Sequence, residues 1–291
     1  MIYDIRLVTA STYDAPVPFA RHVLRCMPRA RPNLNILAAS LTIDPEPAAL
    51  TIDTDFFGND ARTISIETQH QKLIVHAALR VECKGQTPPD PEATPAWEEV
   101  RDQALAAPSL APEAPAHFLF ESRIVKLDPE IAAFAAQSFP EGVPILQGAL
   151  DLMARLHREI AFDNAATHVE TMPGEAFAMK RGVCQDFTHI MIAGLRSLGL
   201  PAAYASGFLR TLPAPGQPRL EGVDATHAWV RLWCGEELGW VEIDPTNAMF
   251  ADESHVLIAI GRDYADVAPL DGVIITYGGQ KLEVAVDVAP V

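Results

Sequence analysis

Apolar side chains in the first eighty or so residues come in short runs separated by polar positions, not at helical spacing. Ile2, Leu7, Val17 and the stretch from Val23 to Met27 belong to such runs. Ile64-Ser65-Ile66-Glu67 and Leu73-Ile74-Val75-His76 are rich in branched residues, which suit a pleated, half-buried surface. Phe57-Gly58-Asn59-Asp60 lies between two runs and supplies the Gly and Asn that a tight hairpin tolerates at positive φ. Residues 1–85 therefore predict an antiparallel β-sandwich.

The pattern breaks from Gln86 to Pro115, where Pro88, Pro89, Pro91, Pro95, Pro108, Pro112 and Pro115 block continuous helix or sheet. Residues 86–116 read as a Pro/Ala-rich linker with a short helix over Trp97 to Leu105. Beyond it the period changes. Leu146, Ala149, Leu150, Met153, Leu156 and Ile160 fall at helical spacing, with Pro144 near the start. A second helix is predicted from Val183 to Leu198, ended by Gly199-Leu200-Pro201, since Gly suits the position after a helix and Pro cannot continue one. Strand-like segments follow at Ala203 to Leu209, Ala225 to Trp233, Gly239 to Ile243 and His255 to Ile260. A helix followed by a run of strands indicates an α+β core over residues 117–268 in place of a doubly wound parallel sheet. Gly272 to Tyr277 and Lys281 to Val288, split by Gly278-Gly279, read as a closing β-hairpin within residues 269–291.

A length of 291 residues suggests two domains, and 49% apolar with 21% charged residues is the balance of a chain with a packed core. The formal net charge of −16 argues against nucleic acid or an anionic membrane as partner, because such surfaces need clustered Lys and Arg. Met1-Ile2-Tyr3-Asp4-Ile5-Arg6 lacks the basic stretch and apolar run of a signal peptide, and no later run is suited to span a bilayer, so a cytoplasmic location is expected. Cys26, Cys83, Cys184 and Cys234 contain no CxxC pair, which fits neither a disulfide scaffold nor a zinc knuckle. Free thiols and no cofactor are the expectation.

Three stretches carry candidate chemistry. Arg181-Gly182-Val183-Cys184-Gln185-Asp186-Phe187 puts a thiol in the first turn of a predicted helix, where unpaired N–H groups and the macrodipole favour thiolate and can bind an oxyanion. Asp224-Ala225-Thr226-His227-Ala228-Trp229-Val230 places an imidazole in an apolar strand, and Gly239-Trp240-Val241-Glu242-Ile243-Asp244-Pro245-Thr246-Asn247 ends a strand on Asp-Pro. Singly, each has a bland reading: a buried cysteine, a core histidine, a turn. Together they supply a nucleophile, a base and a group that orients the base. Strand alternation puts His227 and Trp229 on one face, so the indole is expected to shield the imidazole.

In sequence order, Gly182-Val183-Cys184-Gln185-Asp186-Phe187-Thr188-His189, Leu195 to Ala202, Thr226-His227-Ala228-Trp229, Gly239-Trp240 and Asp244-Pro245-Thr246-Asn247 resemble bacterial transglutaminase-like proteins. The likeness extends more loosely to Asp53, Phe57-Gly58-Asn59 and His70 to Val81. It implies a papain-like α+β core with Cys184 as nucleophile, His227 as general base and acid, and Asp244 as its orienter, supported by Gln185, Asp186 and Trp229. Asp186 is read as structural support for the helix start, His189 as core or a substrate-side hydrogen bond, and His168 as a surface or structural residue. A zinc site of Cys184, His227, Cys234 and Asp244 lacks close ligand spacing. The expected partner is a peptide or other amide-containing substrate, cleaved through a Cys184 thioester. Protein-glutamine transamidation is the alternative, but the upstream oxyanion Trp of cross-linking transglutaminases has no counterpart between Trp97 and Cys184. Arylamine acetyltransferases use a similar Cys, His and Asp set but begin with a helical part. A binding module without turnover is the non-enzymatic rival.

Overall fold

The computed structural model describes residues 1–211 and 225–291. In chain order the elements are β1 (Ile2–Val17), β2 (Phe19–Leu24), β3 (Leu34–Asp44), β4 (Ala49–Thr54), β5 (Asp60–Ile66), β6 (His70–Cys83), α1 (Trp97–Ala106), α2 (Pro129–Ala136) and α3 (Ile145–Glu159). There follow β7 (Ala161–Phe162), α4 (Pro173–Met179), β8 (Arg181–Gly182), α5 (Cys184–Ser197), β9 (Ala202–Leu209) and β10 (Ala225–Trp233). The chain continues through β11 (Trp240–Asp244), β12 (Met249–Phe250), β13 (His255–Gly261), α6 (Tyr264–Val267), β14 (Leu270–Ile275) and β15 (Gln280–Pro290).

Period-two alternation explains β1. Tyr3, Ile5, Leu7, Thr9, Ser11 and Tyr13 are buried, while the residues between them are partly or fully exposed. Two four-stranded antiparallel sheets result, ordered β15-β1-β6-β3 and β14-β2-β5-β4. The expected closing hairpin is not one. β14 pairs with β2 and β15 with β1, so the two segments join different sheets. Val286 and Val288, opposite Leu7 and Ile5, are buried by that pairing, and burial against a distant strand outweighs the local turn. Residues 1–85 thus supply only part of each sheet. The expected linker is also structured: α1 buries Val100 and Ala104, and Pro95 and Trp97 exchange backbone hydrogen bonds with Ile145 and Val143.

The second half is a mixed α/β unit with a five-stranded antiparallel sheet, ordered β12-β11-β10-β9-β13. Phe187, Ile190, Met191, Ile192, Ala193 and Leu195 make α5 apolar on all sides, and such a helix is stable only when surrounded. It is buried from Gln185 to Arg196. Gly199, at φ +77°, ends it: its N–H bonds the Arg196 carbonyl and the Leu200 N–H bonds that of Leu195. One hydrophobic core runs from the sandwich through α3 and α5 into the sheet. No helix among the described residues is long and apolar enough to cross a membrane.

Candidate active site

Cys184 is the first residue of α5 and is half-buried. The turn that presents it is fixed by Asp186, whose Oδ2 accepts the Val183 N–H at 2.8 Å and the Thr167 hydroxyl at 2.6 Å. This carboxylate reaches back to cap the helix, as expected of a structural support. Burial raises its pKa above the ordinary value, against the opposing effect of these hydrogen bonds. Gln185 donates from Nε2 to the Val169 carbonyl at 2.9 Å, tying the preceding loop to the helix start.

His227 projects from β10 and Asp244 ends the adjacent β11. The imidazole Nε2 lies 2.8 Å from Asp244 Oδ2, and Cys184 is close enough to the ring to help raise its pKa. The structure thus brings Cys184, His227 and Asp244 together. Burial by itself lowers the His227 pKa, but the hydrogen bonds to Asp244 and Cys184 outweigh it and raise the value to about 10. Asp244 is fully buried, which opposes its ionisation, yet hydrogen bonds from His227, His255 and Asn247 hold it well below the usual carboxylate range. The Asp-Pro turn contributes through Oδ1, which accepts the N–H groups of Thr246 at 2.9 Å and Asn247 at 3.3 Å.

Trp229 stands two residues along β10, its ring stacked on His227 at 6.2 Å between centroids. It is wholly buried, does not border the cleft, and donates from Nε1 to Glu242 at 2.8 Å, so it supports the imidazole without reaching substrate space. Gly207, opposite His227 on β9, makes room for the indole. A Cβ there would lie 2.2 Å from the Val256 carbonyl oxygen and 2.6 Å from the Trp229 ring.

The site opens into a cleft of about 1130 Å³ with Cys184, Gln185, His227 and Tyr204 in its lining. Tyr3, Thr9, Leu282 and Val284 of the sandwich form its far wall. His189 is excluded as the base. Burial drives its pKa down to about 3, and its Nε2 accepts the Tyr264 N–H at 3.2 Å. His168 bonds Thr171 within its own loop, at 3.2 Å between ring nitrogen and hydroxyl. Cys234 is buried and its thiol faces the Leu232 carbonyl, so the four-residue zinc set is not assembled. Asp224 lies outside the described residues.

Sequence reasoning missed three neighbours. Tyr204, in β9, is buried beside Cys184; burial first, then the sulfur's charge, pushes its phenol well up, so it remains an O–H donor. Asn247 belongs to a motif already singled out but had no role, and its Nδ2 donates to Asp244 Oδ2 at 2.7 Å. His255, at the start of an apolar strand, places Nε2 3.1 Å from the same oxygen. His227, Asp244 and His255 are the group among the described residues whose ligand atoms lie within 4.8 Å of one another. Both imidazoles already point a ring nitrogen at Asp244, which is the geometry of a hydrogen-bonded network and not of a vacated ligand set.

The description of a bacterial transglutaminase-like N-terminal region matches residues 3–82, and that of the transglutaminase-like superfamily core matches residues 134–245. An uncharacterized protein of Mycobacterium tuberculosis is 34% identical over 273 residues, covering 90% of this chain and 84% of its own. A Mycobacterium leprae protein is 26% identical over 284 residues, covering 96% and 95%. Among solved structures, that of a candidate cysteine protease from Cytophaga hutchinsonii aligns with a TM-score of 0.76 at 19% identity, over 99% of this chain and 90% of that one. At such identity the likeness is one of fold.

Proposed function

The chain belongs to the transglutaminase-like superfamily, and on that footing we propose that it is a peptidase or amidase acting through a thioester on Cys184. The observation that carries this reading is the Cys184, His227 and Asp244 cluster at the floor of an open cleft. In the first half-reaction the Cys184 sulfur attacks the amide carbonyl carbon and a C–S bond forms. His227 gives its proton to the amide nitrogen, the C–N bond breaks, and the amine leaves. In the second, His227 takes a proton from water, the hydroxide oxygen bonds to the carbonyl carbon, and the C–S bond breaks to release a carboxylic acid. The Cys184 N–H opens α5 ahead of the first helical acceptor and is suited to the oxyanion of each tetrahedral intermediate.

The substrate that suits the cleft is an extended peptide with apolar side chains near the scissile amide. Phe162 and Val169 on one side and Leu282 and Val284 on the other all line the cleft and are about half exposed. Water is the favoured acceptor. Trp97 is held at the Pro140 carbonyl, 3.1 Å away, Trp229 and Trp233 are buried, and Trp240 packs on Phe118, so no indole stands ready to organise an amine beside Cys184. Incubation with a glutamine-containing apolar peptide and excess primary amine, read by mass spectrometry, tests the reading. Released acid that disappears with Cys184→Ala is expected. Predominant amine adducts establish transamidation instead, and no turnover across a peptide and amide library favours a binding module.

A further inference from the structure

Asp244 serves two imidazoles. Its Oδ2 faces Nε2 of His227 at 2.8 Å and Nε2 of His255 at 3.1 Å, and it also accepts from Asn247. His255 opens β13, which is apolar from Val256 to Ile260, and its ring is almost wholly buried. A histidine there passes for core filling, but both its nitrogens are engaged. Nδ1 accepts the Asp252 N–H at 3.2 Å and lies 3.2 Å from the Asp252 carboxylate. Asp244 is held ionised and can only accept, so the His255 Nε2 that faces it carries the hydrogen.

We propose that His255 is a positioning residue for the reaction: its Nε2–H holds the Asp244 carboxylate in line with His227 Nε2 and so keeps the imidazole turned to Cys184. This rests on the Cys184 reading above. Three of the five donors to Asp244 among the described residues, the Thr246 and Asn247 N–H groups and the Asn247 amide, come from the turn that follows it. That turn fixes the carboxylate only relative to itself. Alignment on His227 needs a restraint from elsewhere in the fold, and His255 is the donor that supplies it, from a strand separated from β11 by β10 and β9 in the sheet. Trp229 makes the restraint rigid, since its indole stacks on His227 and meets His255 edge to face at 5.3 Å.

The charges around His255 set the terms of its action. His227 and Asp244 face it from β10 and β11; Asp252 and Glu253 precede it; and Arg31, Arg231 and Glu242 line the cavity of about 520 Å³ that it borders on the side away from Cys184. The His255 Nε2–H donates to the same Asp244 oxygen that His227 faces. Without that donor, Asp244 aligns less well and the imidazolium beside Cys184 is less favoured.

The test needs no substrate. The rate of Cys184 alkylation by iodoacetamide is measured from pH 5 to 11 on the full chain and on His255→Phe, His255→Asn, His255→Gln and His227→Ala, with thermal melting alongside. Gln reaches Asp244 with an amide N–H, and Asn and Phe do not. The expected result is that Gln keeps the upper limb of the profile within about half a pH unit of the parent's, whereas Phe and Asn move it about one unit lower and cut the rate on that limb, near pH 9, by up to about tenfold. Asn keeps a polar group in the wall, so it carries the comparison with Gln if Phe unfolds. Melting temperatures that fall in all three variants with an unmoved profile show a merely structural residue and overturn the inference. If His227→Ala leaves the profile unchanged, the Cys184 reading fails; if His227→Ala alone changes it, only the role of His255 fails.

Discussion

Asp244→Asn isolates the carboxylate's charge while keeping the outline of the side chain. Burial pushes the His227 imidazole down, and the bonds to Asp244 and Cys184 carry it past its ordinary 6.5 to about 10. That net rise corresponds to roughly 5 kcal/mol in favour of the imidazolium, as an order of magnitude. It is what remains after the opposing effect of burial, so the two partners together contribute more. A hydrogen bond to a charged group is worth roughly 1.5–3 kcal/mol, so loss of the Asp244 charge is expected to release the imidazolium proton about one to two pH units earlier.

Two assays read this out. Cys184 alkylation, followed by peptide mass spectrometry with Cys184→Ser as blank, should show the upper limb of its pH profile about one to two pH units lower in Asp244→Asn, between about pH 8 and 10, because the imidazolium that pairs with the sulfur is lost earlier there, whereas the rate at about pH 6 to 7 changes little. Thermal melting against pH gives the linked effect. The folded His227 value is raised above the unfolded one, so its stabilisation is fully present below about pH 6.5 and is lost as pH rises toward about 10. The Asn variant should flatten that slope. An alkylation profile that superimposes on the parent's, in a variant that melts cooperatively, refutes the argument.

Native-state alkylation near neutral pH should modify Cys184 well before the other thiols. Burial pushes Cys26 up to about 12 and Cys83 up to about 11, and raises Cys234 as well, so equal labelling of the four contradicts the site's electrostatics. Leu282→Asp should raise KM for apolar peptides several-fold with kcat and melting temperature little changed, because the side chain is half exposed and lines the cleft; steady-state kinetics on an apolar and a polar peptide check it.

The parts of the molecule legible in the sequence are those decided locally. α3 and α5 follow from helical spacing, Gly199 marks the end of α5 by its left-handed conformation, and the β4–β5 hairpin follows from Gly58 at φ +80°. Cys184, His227 and Asp244 could be grouped because each chemistry-bearing residue sits in its own recognisable stretch. His255 had no such stretch. One polar residue opening an apolar strand has the same local pattern whether it fills space or holds a carboxylate, and only the sheet order brings it to Asp244. Alternation puts Trp229 on the face of β10 that carries His227, where the two rings stack, but alternation does not say whether that face meets the cleft or the interior.

The closing strands show why the remainder resisted a local reading, and what that means for the site. Gly278-Gly279 turns the chain equally well between strands that pair with each other and strands that part. The decision lies in side chains some 280 residues apart in sequence, where Val286 and Val288 find Leu7 and Ile5 across β1. Once β15 is committed to β1, its earlier residues, Leu282 and Val284, pair beside Ser11 and Thr9 and line the cleft together with Phe162 and Val169. The pairing that completes the N-terminal sheet therefore also builds a wall of the space above Cys184. A segment ending near Cys83 lacks both of the strands that border β1 and β2 on that side, so fold closure and this wall of the cleft depend on the same strands.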